Sequence, residues 1–372
     1  MKENIILVLQ GGGALGAYQA GAFEGLSTAD MVPDWVAGIS IGAINAALIC
    51  GNEPENRLTA IRGFWERITA RLGQGPWCGG ATLRHFYSEA AAANVMATGV
   101  PGFFTPRWPA SLLPFGTQQA ISFYDTEPLR HTLNYFVDFE YLNDHGPRLS
   151  VGAVDVETAN FAYFDSTEMR IGPEHIMASG ALPPGFPPVE IGGRMYWDGG
   201  LVSNTPLQYI MENLGADPTL IFQIDVFSAR DARPTTMAAV AQREKDIRFS
   251  SRTRLTTDRY RQLHDISLAA TRLAAKLPKA LQDDPDVKAL QATGPACPIT
   301  LVELIHRKQS FEGSTKDYEF SRISMTQHWE EGIADVLRTL THVDWTSRTI
   351  GSEGLKLFDL GAPEAAPKRK AG

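Results

Sequence analysis

Short apolar runs alternate with helix-like segments over the first fifty residues. Residues 4–9 (NIILVL) are continuously apolar, as in a strand buried on both faces of a parallel sheet, and they run into three glycines. A helix is predicted over 16–26, a short strand over 35–39 and an Ala-rich helix over 43–50, with Gly51 as a stop. This order predicts the opening of an α/β domain with a largely parallel sheet.

The same pattern continues in the middle of the chain. Residues 148–156 and 160–164 favour the two strands of a hairpin, and residues 194–197 lead as a strand into the sequence WDGG. Residues 206–214 favour a helix, and the apolar run 219–226 (TLIFQIDV) favours another strand. The fold class predicted for this part is therefore a three-layer α/β sandwich.

Residues 73–122 interrupt the pattern with a segment rich in Gly, Pro, Trp and Phe. No long periodicity is visible there, so the segment is predicted to be an irregular insertion. Two interpretations stay open: its aromatic side chains pack on the domain as ordinary core, or they form the lid or wall of an apolar substrate pocket. The Phe- and Trp-rich stretch at 101–115 would supply the apolar wall in the second case.

The last third of the chain is predicted to be a mainly helical C-terminal extension, over residues 229–345. Residues 237–277 are helical in character and basic, with acidic residues interleaved. A solvated, salt-bridged face explains this pattern, and attraction to an anionic lipid surface is the alternative. A late strand is expected at 299–305 and a helical segment at 317–340, and the polar tail 346–372 is expected to be disordered.

Composition and charge narrow the class of protein. The 372 residues include 34 Lys and Arg against 42 Asp and Glu, and the net charge of -8 disfavours nucleic acid as a partner. The hydrophobic content of 44% argues against a disordered or fibrous chain. Cys50, Cys78 and Cys297 are far apart and odd in number, so neither a disulfide framework nor a zinc knuckle is expected.

The sequence also bears on location. No apolar run approaches the roughly 20 residues of a membrane-spanning helix, and residues 1–10 lack the long apolar region of a signal peptide. We therefore expect a cytoplasmic protein whose contact with the inner face of a membrane, or with a lipid particle, is peripheral. The sequence sets no oligomeric state.

A glycine-rich turn, GGGALG at residues 11–16, follows the first strand. Backbone N–H groups at such a helix start have no intrahelical partner and point outward with the positive end of the helix dipole. Gly11, Gly13 and Gly16 match GxGxxG, which binds a dinucleotide pyrophosphate in one context. In another context the same geometry serves as an oxyanion hole. The turn alone does not distinguish a dinucleotide site from an oxyanion hole.

The segment GISIG at residues 38–42 separates these two functions. It matches GxSxG between a predicted strand and an Ala-rich helix, which is the context of a nucleophile elbow. Gly38 and Gly42 leave room for a sharp turn, and Ser40 then stands at a helix N-terminus, where the dipole favours negative charge. A dinucleotide fold needs an acidic residue at the end of the second strand. Here Asp34 lies at the start of that strand, and Gly38 and Ser40 occupy its end. A nicotinamide or flavin enzyme is therefore disfavoured.

The third candidate is Asp198 in WDGG, a carboxylate at a strand end before Gly199 and Gly200. Taken alone, Asp-Gly is an ordinary turn. A serine nucleophile needs a base, usually histidine, yet none of the eight histidines lies in an obvious strand-end loop of the core. A Ser–Asp dyad is therefore a serious option.

GGGALG, GISIG and WDGG, in this order on an α/β chain, resemble the patatin-like phospholipase family, as does the segment ASGALPPGFPPVEIGG before WDGG. The resemblance covers about residues 4–228, and it implies that Ser40 is the nucleophile and Asp198 its base. The backbone groups that it implies for the oxyanion hole are those of Gly11, Gly12, Gly13 and Ala14. The motif glycines are Gly16, Gly38, Gly42, Gly199 and Gly200.

Two further points concern the match. Leu15 stands where the family often has Arg or Lys, a change that leaves the backbone donors in place. Residues 306–322 resemble an extension found in some bacterial members, and their alternating charges and aromatics fit a pocket wall, an interface or a solvated loop.

The resemblance implies a serine acyl hydrolase of lipid acyl esters, whether phospholipase, lysophospholipase or esterase, that acts through an acyl-serine intermediate. For Asp198 to act as the base, burial must raise its pKa above the ~3.9 of a free Asp. No His, Asp and Glu spacing typical of a metal site occurs, so no metal or cofactor is expected. An acyltransferase on the same scaffold and a non-catalytic lipid-binding protein stay open as alternatives.

Overall fold

The computed structural model describes residues 3–69, 80–107, 114, 117, 120–251, 253–294, 297–307, 309, 312–351 and 354–360. Its strands, in chain order, are β1 (Asn4–Leu9), β2 (Trp35–Gly38), β3 (Thr105–Pro106), β4 (Tyr124–Asp125), β5 (Arg148–Asp155), β6 (Phe161–Asp165), β7 (Val189–Ile191), β8 (Arg194–Asp198), β9 (Thr219–Asp225), β10 (Ile299–Ile305) and β11 (Leu355–Phe358). Its helices are α1 (Gly16–Thr28), α2 (Ile41–Cys50), α3 (Arg57–Ile68), α4 (Ala81–Thr98), α5 (Glu127–Phe136), α6 (Phe139–Asp144), α7 (Pro173–Ser179), α8 (Leu207–Glu212), α9 (Met237–Phe249), α10 (Thr253–Ala274), α11 (Lys279–Gln282), α12 (Pro285–Gln291), α13 (Arg322–Thr341) and α14 (Val343–Thr346).

A central sheet, nine-stranded within the described residues, organises the fold. Its hydrogen-bonded neighbours run β11-β10-β9-β1-β2-β5-β8-β7, and β6 also pairs with β5. The pairs from β11 to β5 are parallel, whereas those that involve β6, β7 and β8 are antiparallel. The prediction of a largely parallel sheet is confirmed, and the antiparallel edge begins with the expected β5–β6 hairpin.

Strand β5 brings the ends of β2 and β8 together. Its first half pairs with β2, where Val151 lies opposite Gly38, and its second half pairs with β8, where Ala153 lies opposite Asp198. Because β6 pairs with residues of both halves, β2 and β8 must lie one after the other against the opposite edge of β5. Ser40, two residues beyond the end of β2, is thereby brought to the end of β8.

Both faces of the sheet are covered, which makes three layers. Along β1, Leu7 and Leu9 belong to one hydrophobic core, and Ile6 and Val8 belong to another. The first core includes residues of α1, α2, α3 and α13, and the second includes residues of α8 and α10. Burial on both faces is the reason that β1 is a continuous apolar run.

The last third of the chain completes the sheet and one of its helical layers. β10 pairs with β9, and α13 packs along α1. The Tyr18 hydroxyl donates to Asp335 at 2.6 Å, and Trp329 Nε1 donates to Glu24 at 2.7 Å. The C-terminal region is helical for the most part, as expected, but its strands belong to the central sheet.

Two local features differ from the expectations. The insertion at 73–122, expected to be irregular, contains the helix α4, whose Ala-rich sequence favours a helix despite the flanking Gly and Pro. The tail at 346–372, expected to be disordered, contains β11, which pairs with β10 and covers that edge. Residues 70–79 and 361–372, and most of 108–116, lie outside the described residues, so the expectations for those positions stay predictions.

In the part of the chain that the structure describes, no helix combines the length and the apolar character needed to cross a bilayer.

Candidate active site

Ser40 occupies the sharp turn between β2 and α2. Its backbone has a φ of 55° and a ψ of -123°, a conformation that a non-glycine residue adopts only where its surroundings impose it. A Cβ at Gly38 would meet the Gly42 carbonyl, and a Cβ at Gly42 would meet the Leu9 carbonyl. The two glycines therefore permit a strained elbow that holds Ser40 at the N-terminus of α2.

Ser179, the last residue of α7, fixes the backbone of this elbow. The Ser40 N–H donates to Ser179 Oγ at 3.0 Å, and Ser179 Oγ donates to the Gly152 carbonyl at 2.7 Å. Ser179 is fully buried. The elbow is thus tied to β5 through a hydroxyl other than that of Ser40, so the position of Ser40 does not depend on its own side chain.

Asp198, the last residue of β8, lies next to Ser40. It is 2% exposed, accepts the Gly200 N–H at 2.7 Å and lines the same cleft as Ser40. Burial raises the pKa of Asp198 to about 7, and the Gly200 N–H and the nearby Ser40 hydroxyl offset only part of that rise. A carboxylate with a pKa near 7 is a competent proton acceptor at neutral pH.

Asn204 holds the glycine-rich turn beside Ser40. The backbone carbonyl oxygen of Asn204 accepts the Gly11 N–H at 3.1 Å. Its side-chain Nδ2 donates to the Gly11 carbonyl at 2.9 Å and to the Phe249 carbonyl at 2.8 Å. A Cβ at Gly11 would lie 3.1 Å from the Ser40 Cβ, so the turn and the elbow are in contact. The Gly11 N–H is engaged within the protein, which leaves the following amides for a bound oxygen.

Those following amides stand at the start of a 3₁₀ turn, Gly13–Leu15, that leads into α1. Its first hydrogen bond runs from the Leu15 N–H to the Gly12 carbonyl at 3.2 Å. The N–H groups of Gly12, Gly13 and Ala14 precede that bond and so lie at the positive end of the helix. Gly12 and Gly13 line the same cleft as Ser40, and Ala14 is buried.

Ser40 and Asp198 lie in a cleft of about 810 Å³, counting the part that is open to solvent. Aromatic side chains from distant parts of the chain form much of its wall, namely Phe103, Phe104, Tyr124, Phe186, Phe227, Phe249, Tyr318 and Phe320. The first two belong to the insertion and the last three to the C-terminal region. A concave apolar surface of this kind suits a hydrocarbon chain.

The C-terminal region also brings a charged pair to the cleft. Asp317 lines the cleft and pairs with Lys245 Nζ at 2.5 Å, and its backbone carbonyl packs on Gly13. Burial raises the pKa of Asp317 although Lys245 opposes the rise. Part of the segment 306–322 therefore forms a wall of the cleft, which is one of the three roles expected for it.

The remaining motif glycines differ in position. Gly200 lines the cleft beside Asp198. Gly16 packs on Ile41, and Gly199 packs on the Gly152 carbonyl, so both support the site from behind. The eight histidines all fall in the described part of the chain, and none of them lines the cleft.

Sequence reasoning missed three features of this region. Ser179 and Asn204 anchor the elbow and the turn, but a lone buried Ser or Asn has no local pattern that distinguishes it from an ordinary loop residue. A group of metal-ligand type, His306, Glu312 and His328, forms outside the cleft lining from three separate segments, so its spacing along the chain gave no signal.

The parts assembled in the cleft can support acyl transfer. A hydroxyl at a helix N-terminus shares the cleft with a carboxylate whose pKa is near 7, and the adjoining glycine-rich turn, at the start of a helix, lines the same cleft. Covalent acyl transfer needs a nucleophile, a base and donors for an oxyanion in this mutual arrangement.

Two family models match the chain. The model described as "Patatin-like phospholipase" matches residues 7–211, more than half of the chain. A second model, described as "Patatin phospholipase", matches residues 247–350. The first match contains Ser40 and Asp198, and the second contains the cleft-lining part of the C-terminal region.

Similar proteins include two fungal ones. Lysophospholipase NTE1 of Yarrowia lipolytica (strain CLIB 122 / E 150) and Lysophospholipase nte1 of Aspergillus terreus (strain NIH 2624 / FGSC A1156) are each 25% identical over 232 residues, which is 62% of this chain. The match makes up 13% and 12% of those two proteins, so this chain spans about an eighth of their length.

Solved structures are similar at lower identity. VipD from Legionella pneumophila matches over 89% of this chain and 67% of its own chain, with 13% identity and a TM-score of 0.38. ExoU of Pseudomonas aeruginosa, in its heterodimeric complex with SpcU, matches over 78% of this chain and 68% of its own, with 15% identity and a TM-score of 0.31.

Proposed function

The chain belongs to the patatin-like phospholipase family, and from this premise we propose that it hydrolyses lipid acyl esters through a Ser40–Asp198 dyad. One observation carries the proposal: a serine in a strained turn shares an aromatic cleft with a buried carboxylate whose pKa is near 7. The family supports ester hydrolysis in general, and the roles of individual residues are the proposal.

In the first step, Ser40 Oγ attacks the carbonyl carbon of the ester while Asp198 accepts the hydroxyl proton. A new C–O bond forms and the carbonyl electron pair moves onto oxygen. The raised pKa of Asp198 supports this role, because an Asp of ordinary pKa is a weak base at neutral pH. The N-terminus of α2 favours the negative charge that develops at Ser40.

The tetrahedral oxyanion is assigned to the amides of the glycine-rich turn. Gly12 and Gly13 face the cleft and are the first donors, with the Ala14 amide next in line. Each donor of this kind lowers the barrier by about 3–4 kcal/mol. Gly11 is left out of this set because its N–H already binds the Asn204 carbonyl.

Breakdown of the intermediate returns the proton from Asp198 to the leaving alcohol and leaves the acyl group on Ser40. Water then gives a proton to Asp198 as its oxygen adds to the acyl carbon. The bond from that carbon to Ser40 Oγ breaks, Asp198 returns the proton to Oγ, and the carboxylic acid leaves. An alcohol in place of this water would give acyl transfer. Product analysis with and without an added alcohol therefore separates a hydrolase from an acyltransferase.

The composition of the cleft bears on the substrate. No Lys, Arg or His is among the cleft-lining residues in the described part of the chain, and the nearby Lys245 already pairs with Asp317 of the cleft wall. The wall therefore supports recognition of the acyl chain rather than of an anionic headgroup. We expect neutral esters and zwitterionic lysophospholipids to be cleaved faster than lipids with an anionic headgroup of the same acyl chain.

Covalent labelling with a fluorophosphonate, followed by peptide mapping, tests the proposal. We expect one adduct, on Ser40, and loss of both labelling and ester hydrolysis in Ser40→Ala. Ser203→Ala is the matched control, because it removes a nearby hydroxyl that donates to the Thr205 carbonyl. Labelling and hydrolysis that survive Ser40→Ala would refute the assignment.

A further inference from the structure

A second polar cluster lies in the C-terminal region, apart from the cleft. His306 directly follows β10, Glu312 lies in the loop after it, and His328 lies on α13. All three are buried, at 1%, 6% and 2% exposure respectively. Their ligand atoms, two imidazole nitrogens and a carboxylate oxygen, lie within 4.8 Å of one another.

The two imidazoles converge on a single carboxylate. His306 Nε2 lies 3.2 Å from Glu312 Oε1, and His328 Nε2 lies 2.7 Å from the same oxygen. The other oxygen, Oε2, accepts the Gln309 N–H at 3.0 Å, which fixes the orientation of the carboxylate. The cluster is therefore held in place from three segments of the chain.

Glu331, one turn beyond His328 on α13, orients the His306 ring. Its Oε2 lies 3.1 Å from His306 Nδ1, so Nδ1 carries a proton and a neutral ring has its lone pair on Nε2. That lone pair faces Glu312, which is itself an acceptor. The contact is favourable when Nε2 carries a proton or when a metal ion lies between the two atoms, and a carboxylate behind a histidine is the usual partner of a metal-bound imidazole.

We propose that His306, Glu312 and His328 form a binding site for a divalent transition metal ion, with Zn²⁺ the best fit and Glu331 the partner of His306. Zn²⁺ binds imidazole nitrogen and carboxylate oxygen well, whereas Mg²⁺ and Ca²⁺ prefer oxygen ligands throughout. Metal–ligand bonds of about 2.0–2.2 Å require ligand atoms about 3.3 Å apart, which small side-chain rotations reach from the observed spacing. The two positive charges balance Glu312 and Glu331.

Such an ion would have a structural role that reaches the cleft. It would tie β10 and α13 to the loop that contains Glu312, and this loop continues to Tyr318 and Phe320 in the cleft wall. Lys316, in the same loop, pairs with Asp246 of α9 at 2.9 Å. The metal would complete the attachment of this wall, and no step of ester cleavage passes through it.

The test measures zinc bound to the full chain. The protein is stripped with a chelator, dialysed against Zn²⁺ and analysed by elemental mass spectrometry, and we expect about one zinc per chain. Co²⁺ in place of Zn²⁺ should give the visible absorption of a four-coordinate ion. Thermal unfolding should shift upward with Zn²⁺ and not with Mg²⁺, because only the folded chain assembles the three ligands.

Three variants locate the ion. His328→Gln removes a ligand and should abolish stoichiometric binding. Glu331→Gln keeps all three ligands and should weaken zinc affinity by about 10–100-fold. His175→Gln is the matched control, since it alters another buried histidine, one whose Nδ1 accepts the Gly172 N–H, and should leave zinc binding unchanged.

Two outcomes overturn the proposal. If the unaltered chain retains no zinc after dialysis, the three side chains are joined by hydrogen bonds and do not bind a metal ion. If zinc binds as tightly to Glu331→Gln and His328→Gln as to the unaltered chain, the ion is held elsewhere. Should His328→Gln fail to fold, the zinc content of the unaltered chain and the affinity of Glu331→Gln decide the question.

Discussion

Two buried aspartates on strands that pair with β5 differ in their charge. Asp165 ends β6 and Asp198 ends β8, and neither is more than 2% exposed. The pKa of Asp165 is lowered to about 2, whereas the pKa of Asp198 is raised to about 7. Burial acts to raise both pKa values, so burial alone does not explain the difference.

The difference comes from the hydrogen-bond partners. Arg148 donates to Asp165 from Nε at 3.0 Å and from Nη2 at 2.8 Å, and the Ser150 hydroxyl donates at 2.6 Å. Asp198 accepts a backbone N–H and lies near the Ser40 hydroxyl, and both of these groups are uncharged. A buried carboxylate with a cation is a structural ion pair, and one with neutral partners is available as a base.

Replacement of Asp198 by Asn should have the largest effect on this contrast. An amide cannot accept the serine proton, so kcat should fall by about 10²–10⁴-fold. Asp165→Asn is the matched control, and its kcat per folded molecule should equal that of the unaltered chain. Initial rates with a chromogenic ester, corrected for the folded fraction, measure both. Equal losses in the two variants would mean that the two carboxylates do not differ in role.

Asp165→Asn should instead destabilise the fold. It leaves the partly buried guanidinium of Arg148 without its carboxylate, while the stacking of that group on Trp35 at 3.7 Å remains. We expect a loss of about 2–4 kcal/mol in the free energy of unfolding, measured by urea titration at pH 7. An unchanged urea midpoint would show that the ion pair of Asp165 with Arg148 does not stabilise the fold.

Asp198→Asn should stabilise the fold at high pH. Because the pKa of Asp198 is raised, the folded chain holds the proton of this carboxyl group more tightly than the unfolded chain does. The contribution of Asp198 to stability therefore decreases as the pH rises from about 4 to about 7. Above pH 7 the ionised carboxylate opposes folding, and Asn removes that cost. We expect a gain of roughly 1–4 kcal/mol at pH 8 and almost none at pH 4.

The control for this gain is the pH series itself. Urea titrations of both proteins across the range should give curves that separate as the pH rises. A gain of the same size at every pH would point to packing rather than to the charge of Asp198.

A change in the wall, away from both aspartates, should have the smallest effect. Phe103→Ala enlarges the cleft beside the acyl chain and leaves Ser40 and Asp198 in place. The ratio of kcat/KM for long-chain over short-chain esters should fall about tenfold. A uniform loss for all chain lengths would indicate that Phe103 serves the core instead of the substrate.

The sequence predicted the local parts of this site well. An elbow needs its glycines two residues either side of the serine, so Gly38, Ser40 and Gly42 are visible together in the chain. The proximity of Ser40 to Asp198 is different in kind, because it depends on the register of β2 and β8 along β5. No local pattern contains that register, and only the family resemblance implied the proximity.

Several features that sequence reasoning did not find depend on contacts between segments that are distant along the chain. A pocket wall was one of three roles expected for residues 306–322, but the sequence did not single out this cleft, which Tyr318 and Phe320 reach because β10 joins the sheet and α13 packs on α1. The cluster of His306, Glu312 and His328 forms by the same packing, so its spacing along the chain carries no signal. Helix α4 was missed for another reason, since Gly- and Pro-rich neighbours obscured its Ala-rich sequence.

The rate of fluorophosphonate labelling at Ser40 as a function of pH tests the central claim most directly. If ionised Asp198 activates the serine, labelling should slow as the pH falls through about 7, with the slope of a single proton, and it should be slow at every pH in Asp198→Asn. A rate that stays constant from about pH 5 to about pH 9, or a profile that Asp198→Asn leaves unchanged, would contradict the account.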